Sequence, residues 1–126
     1  MTDATGTQIQ ILLFSSDLML ISSTGGAAAA LGFQFRSISS IEDLVAKKTP
    51  ATVLCVDLAF APVDPIRISE QLPVLTSRSG IAFGPHVHTA KLEQARVAGF
   101  AKVMSRGQFV GRMIDELKTA AAIYLP

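Results

Sequence analysis

ATVLCVDLAFAP, residues 51–62, is a nearly unbroken apolar run that ends on one carboxylate, Asp57, and passes into loop-forming residues. An apolar run of this length reads as a central strand buried on both faces, as parallel sheets require. Asp57 then stands at the strand's carboxyl end, where open α/β sheets place their ligand chemistry. The segments on either side are arranged to bring three more strand ends beside it.

Working towards the amino terminus, Gln8–Phe14 (QIQILLF) is a first strand ending in Ser15-Ser16-Asp17, three good helix caps. The helix that follows runs towards Leu31, with Leu18, Ile21, Gly25 and Ala28 expected on its inner face and the Gly25-Gly26 pair serving close packing on the sheet. A phosphate-cradling loop is the sharper reading of that pair, but no G-x-G-x-x-G or G-K-[ST] surrounds it. Gly32 stops the helix, and Phe33–Ile38 alternates as a short strand. Ser39-x-x-Glu42 opens a second helix as a capping box, with Ile41, Leu44 and Val45 inward and Lys47, Lys48 and Pro50 at its close. Residues 1–7 are polar and expected to fray.

Towards the carboxyl terminus, Asp64-Pro65 caps a short third helix that Pro73 ends. Val74–Ser79 has no legible pattern. Ile81–Phe83 is a fourth strand, closed by Gly84-Pro85. Thr89–Ala98 is a fourth helix stopped by Gly99, and Ala101–Met104 a fifth strand. Ser105-x-x-Gln108 caps the fifth helix, with Phe109, Met113, Ile114, Leu117 and Ala121 on its buried stripe. Strands and helices alternate throughout, so residues 8–126 are expected to form one α/β domain. That domain is a doubly wound five-stranded parallel sheet of order 2-1-3-4-5 with helices on both faces, a three-layer sandwich. In that order the ends of strands 1 and 3 form a switch-point crevice. Ile11, Leu13, Val53, Cys55, Ile81, Phe83 and Val103 are its expected core.

Composition narrows the function. The net charge of +1 offers no electrostatic basis for nucleic-acid binding. Mean hydropathy is positive at +0.43, yet no apolar run reaches the roughly 18–20 residues of a membrane span. The single cysteine, Cys55, has no internal disulfide partner, and a buried free thiol suits a reducing compartment. No secretory signal follows Met1, and a cytoplasmic location is expected. His86-x-His88 presents two imidazoles in a loop at the ligand-facing end of the sheet, a fragment of a metal site without a legible third ligand.

The order, length and spacing of these segments resemble the receiver domain of two-component response regulators, a flavodoxin-like fold. The resemblance rests on ILLFSS, LGFQFRSISSIEDL, VLCVDLAFAP, IAFG and AGFAKVMSRGQF, and on the spacings from Ser15 to Gly32 and from Gly84 to Arg106. It implies a signalling module and places the family's phosphorylation site on Ser15, Ser16, Asp57, Gly84 and Arg106. Asp57 alone keeps the identity of the family residue, the phosphoacceptor aspartate. The Mg²⁺-holding acidic pair is replaced by Ser15 and Ser16, the hydroxyl residue by Gly84, and the lysine-proline by Arg106-Gly107.

Such a chain is similar to an atypical receiver, or pseudo-receiver. Without the acidic pair, a hard divalent cation loses most of its anionic ligands. Arg106, with its planar fork, is expected to grip Asp57 in a static pair; the alternative is that Asp17 leans back and restores one negative charge, and with it residual metal binding. The resemblance therefore implies a regulatory module that acts by protein–protein contact without Mg²⁺-dependent aspartyl phosphorylation and without a cofactor. A homodimer through the fourth and fifth helices and the fifth strand is the family's usual association. The alternative is a small cofactor- or ligand-binding enzyme using a crevice near Ser15, Asp57 and His86.

Overall fold

The computed structural model describes residues 8–125. Its strands are β1 (Gln10–Phe14), β2 (Gln34–Ile38), β3 (Thr52–Asp57), β4 (Gly80–Gly84) and β5 (Lys102–Ser105). They form one parallel sheet in the order β2-β1-β3-β4-β5. The helices are α1 (Leu18–Ala30), α2 (Ile41–Lys47), α3 (Pro65–Gln71), α4 (Pro73–Ser79), α5 (Thr89–Ala98), α6 (Arg106–Gly111) and α7 (Met113–Ala121), with a closing 3₁₀ turn at Ala122–Tyr124.

The period-2 alternation of strand side chains divides the core into two layers. Ile11, Leu13, Val53, Cys55, Ile81 and Phe83 face one side, against Leu20 and Ala28 of α1 and Phe109 and Leu117 of α6 and α7. Phe83 and Phe109 stack there with centroids 4.2 Å apart. Leu12, Phe14, Leu54, Val56 and Ala82 face the other side, against Leu44 of α2, Ile68 of α3, and Leu92 and Ala95 of α5. All six residues of β3 are buried, as a doubly covered central strand requires. Burial pushes the Cys55 thiol far above its ordinary range, which keeps it protonated and unreactive.

Several expectations need correction. Val103 is only half-buried, because β5 is an edge strand whose Lys102 is also open to solvent. Leu18 is 80% exposed; with Asp17 as the cap, α1 turns Leu20, Thr24, Ala27 and Ala28 inward instead. Ser40, not Ser39, caps α2, accepting from the Asp43 N–H, and Val45 faces solvent. Val74–Ser79 belongs to a helix, α4, so Pro73 starts an element as well as ending one. The last helix breaks at Arg112 (φ −128°), which turns Ile114 outward and buries Glu116 against Lys102 at 3.0 Å.

Of the two adjacent glycines, only Gly25 serves close packing, since a Cβ there would lie 3.2 Å from the Phe35 ring. Gly32 and Gly99 do stop their helices, in the left-handed region at φ 77° and 93°. The frayed stretch expected at 1–7 lies outside the described residues.

Candidate functional site

Register brings Ser15 beside Asp57. Phe14 is the register partner of Val56, so Ser15, the first residue past β1, lies beside Asp57, the last residue of β3. The Ser15 hydroxyl donates to Asp57 Oδ2 at 2.7 Å and accepts from the Asp17 N–H at 3.1 Å. Asp57 Oδ1 accepts from the Ala59 N–H at 3.0 Å, a side-chain turn that bends the chain away after β3. Both Asp57 oxygens are thus engaged by neutral donors, and the residue is 4% exposed. A buried carboxylate without donors costs several kcal/mol, which these bonds offset.

Arg106 does not pair with Asp57. Its Nη2 donates to Asp17 Oδ2 at 2.8 Å. Asp17 caps α1, its Oδ1 accepting from the Met19 and Leu20 N–H groups at 2.9 and 3.1 Å, which leaves Oδ2 for the guanidinium. The Arg106 bond and the helix amides hold the Asp17 carboxyl below its usual value. The expected Asp57–Arg106 pair fails for a local reason: Asp17 is an anion that the serines in front of it disguise as a mere cap.

Ser16 is exposed. Gly84 is buried, and a Cβ on it would lie 3.2 Å from Leu58 Cβ. The fully buried Leu58 side chain therefore presses on the backbone where the family carries a hydroxyl side chain. Lys91 was not legible as a site residue. From α5 its Nζ donates to the Leu58 carbonyl at 2.9 Å, tying down the loop after Asp57. Its position in the first turn of that helix, one residue before the inward-facing Leu92, was the only available signal.

His86 and His88 are exposed in the turn between β4 and α5. The Ser15 proton is directed at Asp57 and not at an imidazole, so Ser15, Asp57 and His86 do not assemble as a nucleophile with its base. The residues present also fit Mg²⁺ poorly. Among the described residues no group of three or more His, Cys, Asp or Glu side chains converges. Asp57 and Asp17 have both their oxygens committed, and Ser15 and Ser16 bring no charge for a hard cation.

No protein-family model matches the sequence, and no curated protein matches it. Solved structures do. FixJ-N superposes with a TM-score of 0.73 at 15% identity, over 95% of this chain and 98% of that one. The beryllofluoride-activated NtrC4 receiver domain dimer gives 0.74 at 15%, over 91% and 98%. The chemotaxis response regulator CheY4 of Vibrio cholerae gives 0.70 at 10%, over 90% and 99%. The fold is that of response regulator receiver domains: a five-stranded parallel sheet of order 2-1-3-4-5 covered by helices on both faces. Among the described residues no helix is long and apolar enough to cross a membrane.

Proposed function

We propose that this chain is a receiver-fold regulatory module that acts through protein–protein contact and does not switch by Mg²⁺-dependent phosphorylation of Asp57. One observation carries the reading: the chain's own donors occupy both oxygens of Asp57, while the arginine at the family's lysine position is bound to Asp17. A phosphoryl group on Asp57 adds about two negative charges and must displace Ser15 in a buried site. Arg106, at the family's lysine position, is already paired with Asp17. In this reading the domain has no catalysis of its own.

Titration calorimetry with MgCl₂ tests the proposal. The unaltered protein is expected to give no saturable heat. Ser15→Asp, Ser16→Asp and Arg106→Lys together should gain Mg²⁺ binding, and with it the stability lost by crowding carboxylates around Asp57. Adding Gly84→Thr should help only if Leu58 can give way. Saturable Mg²⁺ binding by the unaltered protein contradicts the proposal.

Association through α5, β5 and the α6–α7 segment belongs to the same reading, and self-association as such is supported by the NtrC4 receiver domain, which is described as a dimer. Val97, Val110 and Ile123 are exposed on these elements and the turn after them, with Arg96, Lys102 and Arg112 also open to solvent. Val110→Asp should shift sedimentation towards the monomer; an unchanged profile of a self-associating protein counts against this face.

A further inference from the structure

An unexplained feature lies at the other end of the sheet from Asp57. A hollow of about 360 Å³ opens between the α2–β3 connection and the elbow joining α3 to α4. Leu72 and Leu75 provide apolar wall, Pro50 and Pro73 remove backbone donors from it, and Lys48 and Arg78 bring two cations. Among the described residues no acidic side chain lines it. Neither cation enters an ion pair among the described residues, whose pairs engage Lys47, Arg67, Arg96, Lys102 and Arg106.

The Arg78 guanidinium is held by an aromatic face instead, 5.3 Å from the centroid of the Tyr124 ring. That ring is fixed in turn, because the Tyr124 hydroxyl donates to the Thr52 carbonyl at 2.7 Å and lies 2.8 Å from Ser79 Oγ. A cation oriented by a ring keeps its N–H fork unspent, and the planar fork matches a carboxylate bidentately.

We propose that this hollow binds a small aromatic carboxylate, its anionic end on Arg78 and Lys48 and its ring on Leu72, Leu75 and Pro73. The volume falls in the range of small-ligand sites. A bare phosphate would leave most of the apolar wall wet, and a neutral apolar compound would leave both cations uncompensated. The ligand would touch Tyr124, which is hydrogen-bonded to the first residue of the strand that ends in Asp57.

The test is an amide-shift titration of the full chain with 2-naphthoate, run beside its neutral isostere 2-naphthamide and inorganic phosphate. Saturable shifts centred on Thr49, Gln71, Val74 and Arg78 are expected, with each comparison compound weaker by about tenfold or more, the amide through loss of a charge-assisted contact and phosphate through loss of the apolar burial. Lys48→Ala with Arg78→Ala, both at exposed positions, should weaken 2-naphthoate by a similar factor while leaving the circular dichroism unchanged. Equal affinity for 2-naphthoate and 2-naphthamide, shifts centred elsewhere, or an undiminished affinity in the double variant would overturn the assignment.

Discussion

Asp57 and Asp17 stand at the ends of neighbouring strands, and the chain satisfies them by different means. Asp57 is buried and receives a hydroxyl and a backbone N–H, both neutral. Asp17 is about one-third exposed and receives a guanidinium and two helix amides. The contrast teaches where the arginine's charge is spent. A cation at the end of β5 serves the rim of the crevice, and the buried carboxylate is left to short-range hydrogen bonds. Ser15 joins the two halves, donating to one acid and accepting from the backbone of the other.

Removing that link should have the largest effect. Ser15→Ala leaves Asp57 Oδ2 buried without its donor and should lower unfolding stability by about 2 kcal/mol, read from urea melts. The loss should barely change between low and high salt, because the pair is not an ion pair. A loss near zero would mean that water replaces the hydroxyl and that the carboxylate is less sealed than its burial indicates.

A smaller effect is expected on the Asp17 side. Asp17→Asn keeps a helix cap but removes the ion pair with Arg106, which is partly exposed and screened by salt. Its folded pKa lies below the ordinary 3.8, so it contributes stability above that value and loses it as pH falls through the lower folded value. The variant should therefore be slightly less stable at neutral pH and should lose less than the parent on acidification below about pH 4. An acid limb identical in the two proteins would show that Arg106 does not hold Asp17 in solution.

Most of the fold was legible because the signals were local and agreed with one another. The continuous burial of Val53–Val56, the Asp64-Pro65 and Ser105-x-x-Gln108 starts, and the Gly32 and Gly99 stops each state one backbone requirement. α4 was illegible because its seven residues carry small polar groups and no helical stripe of useful length. The break at Arg112 was hidden because the apolar spacing continues through it. At the site, strand register sets Ser15 beside Asp57 and Gly84 one residue past Phe83, the register partner of Asp57, a juxtaposition that follows from the strand order alone. Sequence misassigned Arg106 because a long side chain chooses among anions by geometry, and Asp17 is 89 residues away in the chain. Lys91 was missed for a different reason: its partner is a backbone carbonyl, which leaves no trace in residue type.

Intact-mass analysis after incubation with acetyl phosphate and Mg²⁺ tests the central claim most directly. The unaltered protein should show no added phosphoryl mass, with or without Mg²⁺, over times in which an ordinary receiver domain is modified. A phosphoryl adduct that requires Mg²⁺ and disappears in Asp57→Asn would contradict the account, because it would mean that Ser15 and Ala59 release Asp57 and a cation site assembles.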